Sequence, residues 1–254
     1  MATTRPITSF KALTFDCYGT LVDWESGIYN NLQPLNQQLA DSHPLKNNRL
    51  GLLKALVRHE GLVQTANPTY LYHAVLAAAY GNLAAELGVS ADEEAKSKFG
   101  FGVGDWTIYP DTLEALKRLH KHYKLVILSN VDLDSFKRTL ERQFQGFPFD
   151  AIYTAQEIGS YKPDLNNFRY LIEHCDKDLG VEKGDILHTA QSLHHDHVPA
   201  AQIGLTSVWI ERGEEVESVM GGDPEAYADK VSYSWKFTNM KEMADAVDAA
   251  TKNA

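Results

Sequence analysis

The sequence has 254 residues, of which 44% are hydrophobic and 23% charged, and its formal net charge is −10. This composition is ordinary for a globular protein, and the length suits a core domain with a smaller inserted domain. The acidic charge and the lack of a basic run argue against nucleic-acid and anionic-membrane partners, because both favour clustered Lys and Arg.

The sequence also favours a reducing compartment, and we predict a cytoplasmic protein. Its 2 cysteines, Cys17 and Cys175, lie far apart and lack the spacing of metal ligands. We therefore expect no disulfide framework. The sequence has neither a charged-then-apolar leader nor a run of about 18 apolar residues, so it indicates neither secretion nor membrane insertion.

The first predicted strand ends in a carboxylate, and we take this group as the centre of a site. Ala12 to Phe15 is a short apolar run, Asp16 follows it, and Gly19 permits a tight exit from the strand. Open α/β sheets bind ligands at the carboxyl ends of their strands. Asp16 could instead only cap a turn, but polar residues at the later strand ends favour the functional interpretation.

Residues 24–106 are predicted to form a helical cap domain inserted after the first strand. Helix formers dominate this region, and apolar residues recur at helical spacing in Tyr70 to Leu87. A second helix is predicted over Leu50 to Glu60. Residues 1–23 and 107–254 are assigned to the core domain.

From Asp111 onward helices and strands alternate, which is typical of a parallel sheet covered by helices on both faces. We therefore predict a Rossmann-like, doubly wound α/β core. Its later predicted strands are Lys124 to Leu128, Ala151 to Ala155, Ile186 to Ala190, Thr206 to Ile210 and Val231 to Trp235. Its predicted helices are Asp111 to Tyr123, Leu133 to Phe144, Leu165 to Leu179, His197 to Ile203 and Met240 to Ala250.

Polar side chains follow four of these strands, and we expect them to meet at one edge of the sheet. They are Asp16 with Thr20, Ser129 with Asn130, Lys162, and Asp196. A nearby Lys162 ammonium is expected to lower the pKa of Asp16 and keep it ionised, while hydroxyl and amide donors hold its oxygens. Taken singly, Ser129 and Asn130 are ordinary turn formers, and Lys162 is an ordinary surface lysine.

The stretch Asp16-Cys17-Tyr18-Gly19-Thr20-Leu21-Val22-Asp23 resembles the first motif of the haloacid dehalogenase superfamily, in its L-2-haloacid dehalogenase branch. Ser129-Asn130 resembles the second motif, Lys162 the third, and Asp196 the acid of the fourth. The resemblance covers nearly the whole chain. It implies a core of that superfamily's fold with a helical cap, and a homodimer formed through the cap.

The resemblance further implies a hydrolase that opens the carbon–halogen bond of small 2-haloalkanoic acids without a metal or cofactor. Asp16 would attack the halogen-bearing carbon to form an ester, and water activated by Asp196 would then release a 2-hydroxy acid. Lys162 would hold Asp16 ionised, while Thr20 and Ser129 bind carboxylate oxygens. The residues assigned to substrate contacts are Tyr18, Ser129, Asn130, Trp24 and Phe168.

Two alternatives stay open. Phosphatase members of the superfamily carry acids where this chain has Tyr18 and Ser192, which weakens the hypothesis of a Mg²⁺-dependent phosphohydrolase because a leaving alkoxide needs a proton and a halide does not. The other alternative is a binding or regulatory protein with a degenerate site. It is motivated by Phe168, Gln191 and Leu193, where characterised relatives carry Tyr, Ser and Asn.

The stretch His194-His195-Asp196-His197 consists entirely of metal-ligand residue types. Adjacent residues at the head of a helix point to different faces, so we do not expect one metal site that uses all of them. We predict instead that one or two of these imidazoles lie near Asp196.

Overall fold

The computed structural model describes residues 5–213, 218–219 and 221–252. These residues form two compact units, one built on a parallel sheet and one helical. The sheet unit comprises the described residues of Met1–Val22, Ile108–Ser129 and Pro148–Ala254, and the helical unit comprises Asp23–Thr107 and Asn130–Phe147.

The sheet has six parallel strands in the order β3-β2-β1-β4-β5-β6, which confirms the predicted Rossmann-like α/β fold. The strands are β1 (Ala12–Phe15), β2 (Lys124–Ser129), β3 (Ala151–Thr154), β4 (Ile186–Ala190), β5 (Thr206–Ile210) and β6 (Trp235–Phe237). The direction of strand succession reverses between β1 and β4. In open α/β sheets, ligands bind beside the carboxyl ends of the strands at this switch point.

Every residue of β1 and β4 is buried, because central strands of a parallel sheet are covered on both faces. The two strands pair directly, and Thr14 lies opposite His188 in their register. Both polar side chains are fully buried. The centre of the sheet therefore contains two paired polar positions just before its carboxyl edge.

Helices connect the strands of the sheet and build the helical unit. In chain order they are α1 (Trp24–Asn31), α2 (Gln33–Gln38), α3 (Arg49–Ala66), α4 (Tyr72–Leu87), α5 (Glu93–Phe101), α6 (Thr112–Leu119), α7 (Leu133–Arg142), α8 (Ala155–Ile158), α9 (Leu165–Leu179), α10 (Val198–Ile203), α11 (Pro224–Tyr227) and α12 (Met240–Lys252). None of the helices among the described residues has both the length and the apolar character needed to cross a membrane.

Helix α9 contributes much of the apolar core on one face of the sheet. Its Phe168, Leu171 and Cys175 pack in one buried cluster with Ala12 of β1 and Ile186 of β4. Burial of such side chains contributes about 1.5–3 kcal/mol each relative to an exposed position. This packing fixes α9, which follows Lys162 in the chain, against the two central strands.

The helical unit includes residues 130–147, which the sequence analysis assigns to the core. The carboxylate of Asp132 is buried and accepts hydrogen bonds from Ser135 N, at the start of α7, and from His73 N, at the start of α4. Arg138 donates to the carbonyl of Phe101 and pairs with Asp105. These contacts explain why α7 groups with the helices rather than with the sheet.

The observed bounds of β1, β4, β5 and α9 agree with the sequence predictions. The last strand lies at Trp235–Phe237 instead of Val231–Trp235, because its pairing with β5 begins where Trp235 lies opposite Val208. The apolar pattern does not predict α1, α2 or α5, whose sequences are short and largely polar.

Candidate active site

Asp16 lies directly after β1 on a tight loop that turns its carboxylate toward a neighbouring hydroxyl. Its amide donates to the carbonyl of Thr189 on β4 at 3.1 Å. Gly19 has φ 101°, a left-handed conformation that favours glycine, and its amide bonds to the carbonyl of Val22 at 2.8 Å. This turn brings Thr20 Oγ1 to 2.7 Å from Asp16 Oδ2.

The hydroxyl of Thr20 has a defined direction. It accepts a hydrogen bond from the amide of Gln191 at 2.9 Å, so its single proton is donated to Asp16. Gln191 follows β4 directly, and its carbonyl accepts from the indole of Trp209 at 2.9 Å. The ends of β1 and β4 are thus joined through one hydroxyl.

Lys162 joins the two carboxylates of the site. Its Nζ donates to Asp16 Oδ1 at 2.8 Å, to Asp196 Oδ1 at 2.7 Å and to the carbonyl of Leu128 at 3.0 Å. These three bonds use the three protons of an ammonium group. Lys162 is 2% exposed. This burial favours the prediction of a lysine within the site over that of an ordinary surface lysine.

Asp196 lies on a single π-helical turn, Leu193–His197, which follows β4. Ser192 caps this turn, since its hydroxyl accepts from the amide of His195 at 3.1 Å. Asp196 is fully buried, and its Oδ2 has no hydrogen-bond partner among the described residues. Single π turns frequently occur at functional sites, and this one leaves one carboxylate oxygen with its full acceptor capacity.

The two carboxylates have opposite pKa shifts. Burial raises the pKa of Asp16 above its ordinary value and the negative charge of Asp196 adds to this, although Lys162 and Thr20 oppose it. Burial acts in the same direction on Asp196, but Lys162 and His188 outweigh it and hold its pKa below the ordinary range. The expected lowering of the Asp16 pKa is therefore not found, because one lysine serves two buried acids.

Lys162 itself is held in its charged form. Burial lowers the pKa of its ammonium, but the adjacent Asp16 and Asp196 outweigh this effect and the pKa is raised. Two negative groups therefore surround one positive group in the resting site. An ammonium paired in this way can neutralise only one of the two carboxylates fully.

The remaining predicted residues of the sheet unit are buried at its carboxyl edge or in its core. Ser129 ends β2, is 1% exposed, and its hydroxyl has no hydrogen-bond partner among the described residues. Tyr18 is buried in the loop after Asp16. Phe168 has no exposed surface and packs in the core, with its ring edge-on to His188 at 5.4 Å between centroids. Phe168 thus contacts His188 in the core, and its contact with a substrate stays a prediction.

Trp24 and Asn130 belong to the helical unit. Trp24 is buried there, donates from its indole to the hydroxyl of Tyr72 at 3.3 Å, and lies edge-on to Trp106 at 6.5 Å. The structure therefore gives Trp24 a packing role, while its contact with a substrate stays a prediction.

Sequence reasoning missed two residues of the site. His188 donates from Nε2 to Asp196 Oδ1 at 3.0 Å, and its Nδ1 lies 2.8 Å from Thr14 Oγ1. A signal was available, because both residues are polar and stand inside short, otherwise largely apolar strands close to their carboxyl ends. Side chains at alternate positions of a strand share a face. A polar side chain two residues before the end of a strand therefore lies on the same face as the residue at that end, next to the site.

Arg212 supports the loop after β1 from the end of β5. Its Nε donates to the carbonyl of Thr20 at 3.1 Å, and its Nη1 pairs with Asp111 Oδ1 at 2.8 Å. The guanidinium also lies 3.9 Å from the centre of the Tyr109 ring. Nothing in the local sequence pattern distinguishes this arginine, since its role depends on long-range contacts.

Asp16 and Asp196 are the two carboxylates of the site that could bind a Mg²⁺ ion, which proteins usually hold through one or two carboxylates, waters and a substrate phosphate. This ion prefers near-octahedral oxygen coordination, and the described residues contain no group of three or more His, Cys, Asp or Glu that could hold a metal. Asp16 and Asp196 each direct one oxygen to Lys162. The two positions that carry acids in phosphatase members are Tyr18 and Ser192.

Two histidines of the π turn are neutral at pH 7. Burial lowers the pKa of His195 to about 4 and that of His197 to about 4. His197 is fully buried between the hydroxyl of Ser207 at 2.9 Å and the carbonyl of Ala190 at 3.0 Å. His194 is exposed. His197 is therefore fully buried next to Asp196 in the chain, whereas His195 is half-buried.

We expect His197 to make folding pH-dependent. Its pKa is about 6.5 in the unfolded chain and about 4 in the folded protein, so between these values the unfolded chain binds more protons. The free energy of unfolding therefore falls as pH decreases from 6.5 to 4, by up to about 3 kcal/mol for this residue. In urea unfolding over this range, His197→Gln should show a smaller slope, whereas the exposed control His194→Gln should keep it. Equal slopes in His197→Gln and wild type would contradict the assignment.

Comparisons with known proteins show the family and the fold of the chain. A family model described as haloacid dehalogenase-like hydrolase matches residues 10–189. A protein named (S)-2-haloacid dehalogenase from Pseudomonas fluorescens is 24% identical over 205 residues, which are 80% of this chain and 86% of that protein.

Solved structures resemble the whole fold. The L-2-haloacid dehalogenase from Xanthobacter autotrophicus, with chloropropionic acid covalently bound, matches with a TM-score of 0.71 and 18% identity over 94% of this chain and 98% of that chain. YfnB from Bacillus subtilis, bound to magnesium, matches with a TM-score of 0.70 and 16% identity over 94% of this chain and 99% of that chain. At these identities the structural matches establish the fold.

Proposed function

The chain belongs to the haloacid dehalogenase-like hydrolases, and from this premise we propose that it cleaves the carbon–halogen bond of small 2-haloalkanoic acids. The products are a 2-hydroxy acid, a halide ion and a proton. The reaction proceeds through an ester on Asp16. The names of the Pseudomonas and Xanthobacter relatives support this substrate class.

One observation carries the proposal. A buried Lys162 ammonium joins Asp16 and Asp196, and Tyr18 stands at the position where phosphatase members of the family place a second acid. A phosphomonoesterase needs that acid to protonate its leaving alkoxide, an effect typically worth ~10²–10⁴-fold. A halide leaves with its bonding electron pair and takes no proton. The site thus lacks one group that phosphate ester hydrolysis needs and that dehalogenation does not, which supports the proposal.

In the first step the Asp16 carboxylate attacks the halogen-bearing carbon. A carbon–oxygen bond forms, the carbon–halogen bond breaks, and the configuration at that carbon inverts. Thr20 and Lys162 each bond one oxygen of Asp16, at 2.7 and 2.8 Å, and hold the carboxylate in a fixed orientation. Such positioning of reacting groups lowers the barrier of a displacement. We assign the substrate contacts to Tyr18, Ser129 and Asn130.

In the second step water cleaves the ester at the carbonyl carbon of Asp16. Asp196 accepts a proton from the water through Oδ2, the oxygen that has no partner among the described residues. The tetrahedral intermediate expels the alkoxide of the product, which takes a proton as the Asp16 carboxylate re-forms. One proton is released to solvent per turnover, so charge and atoms balance.

The test of this proposal is halide release by the wild-type protein from L-2-chloropropionate at pH 7, with EDTA present. We expect release of chloride and formation of lactate in equal amounts, at a rate that EDTA does not change. The parallel assay uses p-nitrophenyl phosphate with added Mg²⁺.

Two outcomes would overturn the proposal. Cleavage of p-nitrophenyl phosphate only with Mg²⁺, without chloride release, would identify a phosphohydrolase. Binding of 2-chloropropionate by calorimetry, without turnover of either compound, would identify a binding or regulatory protein with a degenerate site.

Further parts of the proposal concern the cell and the assembly. Cys17 and Cys175 are free and buried, which supports a reducing compartment such as the cytoplasm. The helical unit is inserted in the chain mainly between β1 and β2, and this order supports its role as a cap domain.

The proposed ligand is a small carboxylate. A homodimer formed through the cap stays a prediction.

A further inference from the structure

We propose that His188 is a positioning residue for the hydrolytic step, in which it holds Asp196 so that Oδ1 is bound and Oδ2 is directed to the water. This inference rests on the proposed two-step function. His188 does not contact the reacting atoms in this assignment, because it acts through Asp196.

The imidazole of His188 is fixed from both ends. Its Nε2 lies 3.0 Å from Asp196 Oδ1, and its Nδ1 lies 2.8 Å from Thr14 Oγ1. Both partners and the ring are fully buried, and the ring of Phe168 packs edge-on against it. Because His188 and Thr14 are paired in the register of β4 and β1, the two central strands of the sheet set the ring position.

The chemistry of these groups defines the direction of the hydrogen bonds. An ionised carboxylate only accepts, so Nε2 of His188 carries the proton that it donates to Asp196. The other ring nitrogen, Nδ1, lies 2.8 Å from the hydroxyl of Thr14, which can either donate or accept. Thr14 thereby holds the ring so that Nε2 faces Asp196.

The arrangement is asymmetric at the carboxylate. Lys162 and His188 both donate to Oδ1 of Asp196, at 2.7 and 3.0 Å, and Oδ2 has no partner among the described residues. Rotation of the carboxylate would break two charge-assisted hydrogen bonds. Two fixed donors on one oxygen therefore determine the orientation of the other.

The charged groups near His188 explain why a second donor is needed. These groups are Asp196, Lys162 and, beyond Lys162, Asp16; His197 is also close and is neutral at pH 7. In the resting enzyme Lys162 serves both carboxylates. The two ring nitrogens of His188 bond to Asp196 and Thr14, which leaves neither for Asp16. His188 is thus a donor that serves the hydrolytic carboxylate alone.

Rapid-quench kinetics with 2-chloropropionate separates the two steps. In His188→Leu we expect the first-turnover release of chloride to stay within about threefold of wild type. Hydrolysis of the ester should slow about 10- to 100-fold, the effect of losing one charge-assisted hydrogen bond. The ester should then accumulate, seen as added mass on the intact protein.

The matched control is His188→Gln, whose side-chain amide can donate from a position close to Nε2. We expect it to restore ester hydrolysis to within about tenfold of wild type, and to keep the acidic limb of the hydrolysis pH profile where wild type has it. In His188→Leu that limb should move to higher pH, because Asp196 loses a donor to its charged form. Equal losses in Leu and Gln variants, or equal slowing of both steps, would overturn the proposal.

A third variant covers the case in which His188→Leu does not fold. Thr14→Val keeps the size of the side chain and removes only the hydrogen-bond partner of Nδ1. We expect a smaller slowing of ester hydrolysis, about 3- to 10-fold, with first-turnover release of chloride within about threefold of wild type. An unchanged rate of ester hydrolysis in a folded Thr14→Val protein would contradict the role of Thr14 in holding the His188 ring.

A measurement without substrate distinguishes this inference from the proposed function. The carboxyl carbons of ¹³C-labelled Asp are titrated by NMR in the full-length protein, and Asp196→Asn assigns the signal. In His188→Leu, or in Thr14→Val if the former does not fold, the Asp196 signal should titrate at higher pH than in wild type. If wild type releases no halide but this shift is seen, the function fails and the positioning role stands. An unchanged titration would overturn the role of His188 whatever the reaction.

Discussion

Replacing the carboxylate of Asp16 by an amide is expected to abolish halide release from L-2-chloropropionate. Asp16→Asn keeps the shape of the side chain, and Thr20 can still donate to its oxygen, but a neutral amide does not form the ester. We expect kcat to fall on the order of 10⁴- to 10⁶-fold, as in enzymes that lose the nucleophile of a covalent mechanism. The measurement is chloride release in EDTA at pH 7, with intact mass confirming that the Asn persists.

The control for this variant is Asp92→Asn. Asp92 is an exposed carboxylate that caps α5 by accepting from the amide of Ala95 at 2.7 Å, so we expect this variant to release chloride at the wild-type rate. A single turnover of excess wild-type enzyme in H₂¹⁸O tests the same step directly. The label should enter the Asp16 carboxylate and not the 2-hydroxy acid. Label in the product of the first turnover would contradict a covalent role for Asp16.

The central strands could be predicted from the sequence because their positions follow from local chemistry. β1 and β4 are short, mostly apolar runs between turn formers, and both are buried throughout. The edge strand Trp235–Phe237 could not be located in this way. Its start is set by pairing with β5, where Trp235 lies opposite Val208, and register across strands is not a local property of a sequence.

Residues 130–147 belong to the helical unit because of a long-range contact, which the local sequence does not reveal. Helix α7 has an amphipathic pattern that is equally suited to covering a sheet. The buried Asp132, bonded to the amide of His73, decides the partner of this helix. A polar contact between residues 59 positions apart has no signature in either local sequence.

In the site, the residues at strand ends were predicted from the sequence, and the polar residues inside the strands behind them were missed. Asp16, Lys162 and Asp196 were found because parallel strand ends converge. His188 was missed, since a single histidine in an apolar strand is usually a satisfied core residue. The direction of the Asp16 pKa was also missed, because it depends on burial and on the distance to a second acid.

The charge balance of the site leads to a prediction for Lys162. Lys162→Met removes the ammonium that bonds two buried carboxylates at 2.7 and 2.8 Å. Breaking a buried ion pair from one side costs about 3–5 kcal/mol, because the remaining charge is left without compensation. We expect a loss of that size in the free energy of unfolding at pH 7, together with loss of chloride release.

The control is Lys124→Met. Lys124 pairs with Asp150 at 3.3 Å, but its side chain is 45% exposed, so we expect a loss of no more than about 1 kcal/mol. Equal losses in the two variants, measured by urea unfolding, would mean that Lys162 does not neutralise buried charge. The double variant Lys162→Met/Asp196→Asn removes one of the two negative groups and should recover part of the stability without recovering activity.

The pH dependence of Lys162→Met separates lost charge compensation from lost packing. Without the ammonium, burial raises the pKa of Asp16 and of Asp196 above the values in the unfolded chain, so the folded variant binds protons more readily. Its deficit relative to wild type should therefore shrink as pH falls from 7 to 5. A deficit caused by a cavity would not change with pH. A shrinking deficit would thus show that Lys162, which bonds to Asp16, also compensates the negative charge of two acids buried in one site.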